Sequence, residues 1–388
     1  MCFNKAYEVK NMGDLYHYTS MQCFESIIKN QSIRMTRSDF MNDPYDCKVF
    51  YTIVKKHIEE KMKDIEVEHY LRNVKNKNKI FPKDVSDLIK KYPLNKYLEF
   101  VYNHISLYIF SMTDRKDSLS MWNYYGSDGI CFGVDQELFL ENFKQKICKH
   151  EFDFLAYTNV NYIDINSDDK LNDLPLYSLT DIQLLNSSND DNYLLQSLHE
   201  YKKDDENVDL KLLVESYIES YIVSINYLLR NPINENKSFE EFYKISSIDE
   251  FYKKIFYENR KLMTKKDMRF KSFIDIFMLI LSAKYKPKTF ESESETRIVF
   301  FNYNIPQEVN EKYAAIKYDF GSFLKPFIEC KFEPADNALL SNEIRSIILS
   351  PATNRIPIDK NTYKRIISKF LNKDDSFSVE ISEHDIRW

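Results

Sequence analysis

The sequence predicts an α+β protein with a central mixed or antiparallel β-sheet core and large helical insertions. Short runs rich in β-branched and aromatic residues, which are typical of strands, recur from the first twenty residues to the last ten. Longer stretches between them show the apolar spacing of helices. Because 43% of the 388 residues are hydrophobic and no low-complexity linker divides the chain, we expect residues 1–388 to form one domain.

The N-terminal quarter begins with a predicted strand, Asp14 to Tyr18, followed by a helix for which Ser20 is a suitable N-cap. A second strand is predicted from Ile33 to Thr36, and the Asn-Asp-Pro sequence at 42–44 predicts a turn after it. Residues 49–100 then read as a lysine-rich helical insertion.

The remainder of the chain alternates between the two kinds of element. Further strands are predicted at Val101–Met112, Ile130–Val134, Arg297–Phe301, Ile344–Leu349 and Ser376–Ile381. Further helices are predicted at Ser118–Tyr125, Leu210–Arg230, Phe273–Tyr285 and Lys360–Leu371. Residues 164–286 form an acidic and helical insertion, with eleven acidic and three basic residues between Asp164 and Glu206.

Composition excludes several classes of protein. A net charge of -6 argues against a protein that coats nucleic acid. The five glycines cannot form a G-x-G-x-x-G, Walker or G-x-S-x-G motif. Six scattered cysteines without a C-x-x-C pair favour a reducing compartment and no metal. With no secretory signal and no apolar stretch long enough for a bilayer, we expect a cytoplasmic protein that does not bind a membrane.

Three patches place polar side chains in segments that otherwise resemble core. The first is Tyr16-His17-Tyr18-Thr19, at the end of the first strand. Strand alternation puts His17 and Thr19 on one side and the two tyrosines on the other, as a flat wall for a ligand. A single histidine beside aromatic residues is more often structural, so both interpretations stay open.

The second patch is Ser111-Met112-Thr113-Asp114 followed by residues 118–126, SLSMWNYYG. Met121 and Trp122 are expected to pack into the core, which leaves Ser118, Ser120 and one tyrosine to line a pocket. A tyrosine face stacks well on a planar ring.

The third patch is ESESETR, in which a strand would place Glu291, Glu293, Glu295 and Arg297 on one face. The alternative is an exposed strand edge whose charges discourage aggregation.

Six blocks in this order resemble the bacterial domain-of-unknown-function family 2971, over nearly the whole chain: LYHYTS, IRMTRSDFMNDPYD, SLSMWNYYGSDGICFGVD, ESETRIVF, IRSIILSP and ISEHDIRW. The family's name states no activity. The order of the blocks is similar to that of the ADP-ribosyltransferase fold, which splits NAD, and the opening block looks like the start of DNA-targeting ADP-ribosyltransferase toxins.

The resemblance implies roles for individual residues. His17 would hold a ribose of NAD, Ser118 or Ser120 with Tyr124 or Tyr125 would stack the nicotinamide, and Glu295 or Glu293 would stabilise the reacting ribose. An arginine such as Arg34 or Arg37 would bind the diphosphate through paired hydrogen bonds. The full expected NAD-binding set is Tyr16, Tyr18, Thr19, Arg34, Arg37, Ser118, Ser120, Trp122, Tyr124, Tyr125 and Arg297, and no metal is required.

The leading hypothesis is therefore an NAD-consuming enzyme that transfers ADP-ribose to a protein, DNA or RNA, or hydrolyses NAD, as a toxin or an anti-phage defence effector. The alternative is a non-catalytic module of a defence or regulatory system that binds a nucleotide or a partner, with the helical insertions mediating assembly. A third hypothesis, a metal-dependent nucleic-acid enzyme, draws on Lys75, Lys77 and Lys79.

Overall fold

The computed structural model describes residues 13–41, 43, 46–72, 80–126, 128–147, 153–164, 182–184, 210–230, 239–258, 265–302, 316–320, 324–332, 340–356, 358–372 and 377–384. Within these ranges the protein is mixed α and β, with one large mixed sheet and many helices. None of the described helices is long and apolar enough to cross a membrane.

The described strands are β1 (Asp14–Thr19), β2 (Ser32–Arg37), β3 (Tyr108–Thr113), β4 (Ile130–Asp135), β5 (Asp153–Asn159), β6 (Asn161–Ile163), β7 (Ile182–Leu184), β8 (Tyr285–Pro287), β9 (Glu295–Asn302), β10 (Ile316–Phe320), β11 (Leu324–Lys331), β12 (Ile344–Leu349) and β13 (Ser378–Ile381). Strands β6 and β8 form a small parallel pair, and the other eleven form one sheet. Its described pairings are antiparallel except for β12 with β13.

The described α-helices are α1 (Met21–Asn30), α2 (Val49–Lys61), α3 (Val67–Leu71), α4 (Pro82–Lys91), α5 (Leu94–His104), α6 (Leu119–Tyr125), α7 (Gln136–Ile147), α8 (Leu210–Leu229), α9 (Phe239–Tyr243), α10 (Ile248–Lys253), α11 (Lys265–Lys284), α12 (Leu340–Glu343) and α13 (Lys360–Leu371). A 3-10 helix, Lys288–Glu293, connects β8 to β9.

The sheet divides at β3. Along one edge, β3 pairs with β9 from Tyr108 to Thr113. Along the other edge, its first two residues pair with β2 and its last pairs with β1. Between these contacts, residues 110–112 pair only with β9. One arm of the sheet therefore continues as β1-β4-β12-β13 and the other as β2-β11-β10, and we call their point of separation the fork.

The two faces of the sheet have different cover. One face packs against apolar residues of α1, α7 and α13. On the other face, helices α2–α5 and α8–α11 form a helical lobe that packs against Ala156, Val299 and Phe301 of β5 and β9. Helix α6 covers Tyr16 and Tyr18 on this second face, beside the lobe. The fork thus lies where α6 meets the lobe.

Most predicted elements are confirmed, including β1, β2, β4, β12 and α13, and the Ser20 hydroxyl accepts the Cys23 N–H as an N-cap. The predicted strand from Val101 is wrong at its start, because α5 continues to His104 and β3 begins at Tyr108. Burial of Val101 in the lobe overrides its local β-propensity. Asn42, Pro44, Lys75, Lys77, Lys79 and most of 164–206 lie outside the described residues.

Candidate functional site

A cavity of about 510 Å3 lies at the fork. It is lined by residues of β2, β3, β11, α6 and the segments around β8: Thr36, Phe40, Met41, Asp43, Asp46, Ser111, Tyr124, Tyr125, Lys286, Thr289, Phe290, Ser292, Glu293 and Lys325. Its volume lies within the range of about 300–1,000 Å3 that is usual for small-molecule sites. Carboxylates, amines, hydroxyls and aromatic rings together suit a polar ligand that contains a planar ring. We call it the fork cavity.

A second, small cavity of about 50 Å3 adjoins the first. Its lining residues are Tyr16, His17, Tyr18, Ser111, Met112, Met121, Tyr125, Glu293 and Glu295. Three residues, Ser111, Tyr125 and Glu293, border both cavities. These three side chains therefore form the boundary between the two spaces.

A buried ionic cluster lies beneath the fork cavity, with Arg297 of β9 at its centre. All five N–H donors of Arg297 have acceptors. Nη1 and Nη2 donate to the two carboxylate oxygens of Asp46, both at 2.7 Å. Nε and Nη2 donate to Glu295 at 2.9 and 3.1 Å, and Nη1 also donates to the carbonyl of Ala283 at 2.8 Å. Arg297 is fully buried, so these bonds replace its water shell.

Lys286 extends the cluster to the cavity wall. Its Nζ lies 2.9 Å from Glu293 and 2.7 Å from Glu295, and 3.9 Å from Asp46. The other oxygen of Glu293 accepts a hydrogen bond of 2.8 Å from the Tyr125 hydroxyl. Three carboxylates and two cations leave one net negative charge beside the cavity. Across the described ranges, no group of three or more His, Cys, Asp or Glu is placed to hold a metal ion.

The cluster shifts the pKa values of Glu295, Lys286 and Tyr125. Burial alone would raise the pKa of Glu295, but the charges of Arg297 and Lys286 outweigh this effect and hold its pKa well below the usual value. Burial opposes the charge of Lys286 as well, yet the carboxylates around it raise its pKa. Burial and the charge of Glu293 raise the pKa of Tyr125, so its hydroxyl remains a donor at neutral pH.

The backbone is strained beside these carboxylates. Cys47 and Ser294 adopt left-handed conformations, with φ of 61° and 46°, although neither is glycine. Such conformations are uncommon and concentrate at functional sites. Ser294 separates Glu293 from Glu295, and Cys47 directly follows Asp46.

The prediction that Glu291, Glu293, Glu295 and Arg297 share one strand face is wrong. Only Glu295 and Arg297 lie on β9, whereas Glu291 and Glu293 belong to the preceding 3-10 helix. Like charges in a row on one strand face would repel each other. The turn instead leaves Glu291 exposed and buries Glu293, at 3% exposure, against Lys286.

His17 points away from the ionic cluster. Its ring stacks on Phe110, with 4.7 Å between the ring centroids, and approaches Phe132 in the core on the opposite face of the sheet. Nδ1 donates to the Ser111 carbonyl at 3.0 Å. Burial lowers the pKa of His17 to about 4, so the ring is neutral at pH 7. Although His17 and Glu295 border one small cavity, their side chains leave the sheet on opposite faces.

Three of the expected NAD-binding residues, one directly before α6 and two within it, instead form hydrogen bonds that hold this helix in place. The Ser118 and Ser120 hydroxyls bond to each other at 2.9 Å, and Ser120 donates to the Ser292 carbonyl at 3.2 Å. Trp122 is buried, and its Nε1 donates to Asp117 at 2.6 Å. None of these three residues lines either cavity.

The selected tyrosines lie closer to the cavities. Tyr124, which is 69% exposed, and Tyr125 line the fork cavity from the end of α6. Tyr16 and Tyr18 line the small cavity from β1, whereas Thr19 lies beyond it at the end of the strand.

Neither selected arginine of β2 lines the fork cavity. Arg37 forms two hydrogen bonds with Asp39, at 2.7 and 2.9 Å, and its guanidinium lies 4.8 Å from the ring centre of Phe40. The guanidinium of Arg34 lies 4.6 Å above the ring of Phe327. Because Phe40 lines the cavity, Arg37 packs behind one of its walls.

Several residues that line the fork cavity were not singled out from the sequence, among them Asp43, Asp46 and Lys286, whereas Ser111 belongs to the second patch. Asp46 ends the IRMTRSDFMNDPYD block, so that block carried a usable signal. Lys286 directly follows an apolar helix in the sequence. Because a lysine in such a position is rarely buried without a partner, it could have been expected to pair with the nearby glutamates.

Substitution of Arg297 by Met should destabilise the protein by about 3–5 kcal/mol, because it leaves three buried carboxylates with one lysine. Lys116→Met is the control, since it breaks an ion pair with Glu380 whose partners are 45% and 37% exposed, and it should cost less than about 1 kcal/mol. Urea denaturation measures both. Equal, small losses would mean that the cluster does not stabilise the fold.

The buried His17 should make stability depend on pH. Unfolded histidine takes up a proton near pH 6.5, whereas folded His17 does so only near pH 4. The unfolded chain therefore binds more protons in this window, and stability should fall by at most about 3 kcal/mol as the pH drops through it. Glu295, with its depressed pKa, loses its contribution only at lower pH.

The comparison for this pH effect is His17→Asn, whose side-chain N–H lies at the position of Nδ1 and can donate to Ser111 but does not titrate. The free energy of unfolding should be measured from pH 7.5 to pH 4 in both proteins, and the difference between them should change with pH. If the free energies of unfolding of the two proteins changed in parallel with pH, the pKa of His17 would not be lowered in the folded protein.

Comparison of the chain with protein-family models, with curated proteins and with solved structures finds no match. The basis for a function is therefore the fork cavity, its ionic cluster and the order of the sequence blocks.

Proposed function

We propose that this chain is an NAD-consuming enzyme of the ADP-ribosyltransferase type, which breaks the nicotinamide–ribose bond in the fork cavity. The resemblance of its six sequence blocks to family 2971, and of their order to ADP-ribosyltransferases, motivates the choice of substrate. The observation that carries the proposal is the position of Glu293. Its carboxylate is buried, borders both cavities and is fixed between Lys286 and Tyr125.

The chemistry requires a carboxylate in such a position. When the nicotinamide leaves with the electrons of the C–N bond, the ribose develops the positive charge of an oxocarbenium ion. A carboxylate that accepts a hydrogen bond from a ribose hydroxyl stabilises this charge more in the transition state than in the ground state. The acceptor, water or a nucleophile on a macromolecule, then bonds to the ribose carbon and loses its proton.

Glu293 suits this role better than Glu295. Glu295 shares both of its oxygens with Arg297 and Lys286 and does not line the fork cavity. Its role in the proposal is to hold these two cations, and so to fix Lys286 against Glu293. In the proposal His17 does not contact the ligand. Its Nδ1–H donates to the Ser111 carbonyl and so holds the backbone of that residue in place.

Other lining residues fit the remaining parts of NAD. Tyr124, Tyr125, Phe40 and Phe290 offer aromatic faces for the nicotinamide ring. The amine of Lys325 offers a positive charge for the diphosphate. In this proposal the enzyme acts in the cytoplasm, as a toxin or an anti-phage effector, on a protein, DNA, RNA or water.

A non-catalytic module that binds a nucleotide or a partner is the second candidate. It is favoured by the contacts within the cluster, in which Lys286 and Tyr125 occupy both oxygens of Glu293. A ligand hydroxyl must share or replace one of these bonds. Calorimetric binding of NAD without release of nicotinamide would favour this candidate.

The experiment uses NAD labelled on the adenylate, with and without cell lysate, DNA and RNA, and measures both nicotinamide release and labelled products. Glu293→Gln should lower the rate by about 100- to 1,000-fold, because the amide cannot stabilise the developing charge. Glu291→Gln, at an exposed glutamate of the same 3-10 helix, is the matched control and should retain activity.

Two results would contradict the proposal. One is no nicotinamide release and no labelled product from the unmodified protein under any of these conditions. The other is full activity of Glu293→Gln.

A further inference from the structure

Residues 382–384 of the ISEHDIRW block bind Asp117, which lies just before the N-cap of α6. Oδ1 of Asp117 accepts a hydrogen bond of 2.8 Å from the Ser382 hydroxyl, and Oδ2 accepts one of 3.0 Å from the Glu383 N–H. Nε2 of His384 donates to the Asp117 carbonyl at 3.0 Å. None of these four residues lines either cavity, so the block acts on the structure at Asp117. We call residues 382–384 the anchor segment.

The sheet holds the anchor segment from its other side. Strand β13 pairs with β12 as far as Ile381, which lies opposite Leu349. The Ser382 N–H then donates to the Leu349 carbonyl at 3.0 Å, and the Ser382 side chain is buried. The Ser382 hydroxyl also accepts the His384 N–H at 3.2 Å. The position of Asp117 relative to the sheet therefore follows from this segment.

Trp122 connects Asp117 to the opposite end of α6. Its Nε1 donates to Asp117 Oδ1 at 2.6 Å. Its ring lies so close to Gly126, the residue after the helix, that a Cβ atom there would come within 2.9 Å of the ring. Tyr18 of β1 meets the same ring edge-on, with 4.8 Å between the ring centroids. Because a helix of seven residues is not stable by itself, such contacts determine where α6 lies.

The far end of α6 forms part of the wall of the fork cavity. Tyr124 and Tyr125 line this cavity, and the Tyr125 hydroxyl donates to Glu293 at 2.8 Å. Asp117 lies eight residues before Tyr125, or roughly 12 Å along the helix axis. A change at Asp117 therefore reaches Glu293 through the placement of α6.

We propose that Asp117 is a positioning residue for the fork cavity and that the anchor segment holds it in place. Through Trp122 and α6, it sets the hydrogen bond between Tyr125 and Glu293. The effect on this bond follows from the contacts within the protein. The effect on the rate of NAD cleavage rests on the proposed function.

The first measurement replaces Tyr125 by 3-fluorotyrosine and records its fluorine NMR resonance in the protein without ligand. Glu293→Ala supplies the reference for a tyrosine hydroxyl that has lost this acceptor. Asp117→Ala should move the resonance toward that reference, because it removes the carboxylate that binds Trp122 and the anchor segment. Asp117→Asn keeps Oδ1 as an acceptor and should leave the resonance close to its original position.

Ser382→Ala tests the anchor segment by removing a single hydroxyl, and it should move the resonance in the same direction but less far. Ser378→Ala is the matched control, because Ser378 is an exposed serine at the start of β13, and it should leave the resonance in place. The proposal is overturned if Asp117→Ala or Ser382→Ala folds and leaves the resonance unchanged. It is also overturned if Ser378→Ala moves the resonance as far as Ser382→Ala does.

The second measurement is the rate of nicotinamide release from NAD. Asp117→Ala should lower this rate about 10- to 100-fold by misplacing the cavity wall. In a protein that already carries Tyr125→Phe, the same substitution should lower the rate less than about 2-fold, because the bond that Asp117 positions is already absent. Substitutions at this separation are normally additive. An equal loss in both backgrounds would show a general structural effect and would overturn the proposal.

Failure of the positioning role and failure of the proposed function give different results. Movement of the resonance without nicotinamide release from the unmodified protein would support the positioning role and contradict the enzyme. Nicotinamide release with a resonance that Asp117→Ala leaves in place would support the enzyme and contradict the positioning role.

Discussion

Arg297 connects three parts of the fold, one of which is far away in the sequence. From its place on β9 it binds Asp46, 251 residues earlier, the carbonyl of Ala283 at the end of α11, and Glu295 on its own strand. A buried guanidinium without these acceptors would be strongly unfavourable. The segment after β2, the helical lobe and the sheet must therefore all be in place before this residue can be buried, and the fork cavity forms where they meet.

The same cluster prepares one side of the cavity for chemistry. Lys286 and Tyr125 hold Glu293 from opposite oxygens, so the carboxylate is oriented before any ligand arrives. The net negative charge of the cluster favours positive charge in the adjoining space, and buried groups need little rearrangement to exert this effect. A reaction that develops a cation, such as cleavage of NAD, would benefit from this arrangement.

Local sequence patterns were sufficient for much of the fold. Short runs of β-branched, aromatic and other apolar residues specified β1 and β12. Helical spacing specified α1 and α13, together with the Ser20 cap for α1. The boundary between α5 and β3 was not predictable in this way, because Val101 favours a strand locally and is helical through its packing in the lobe. The fork was also beyond local patterns, since β3 pairs with strands on both sides of it in sequence.

Local sequence patterns also predicted part of the site. Glu293 and Glu295 attract attention because clustered carboxylates at the edge of a core need partners. Asp46 and Lys286 become meaningful only through neighbours that are distant in sequence. Strand alternation predicted that His17 and the tyrosines on either side of it face opposite ways, but not which side held the cavity.

The most direct measurement is a crystal structure of the protein with carba-NAD, in which a methylene replaces the oxygen of the nicotinamide-side ribose and prevents cleavage. The account predicts that this ligand occupies the fork cavity, with a ribose hydroxyl within hydrogen-bond distance of Glu293 and the nicotinamide against an aromatic ring of the cavity wall. A fork cavity that stays empty at saturating carba-NAD, or a ligand bound elsewhere on the protein, would contradict it.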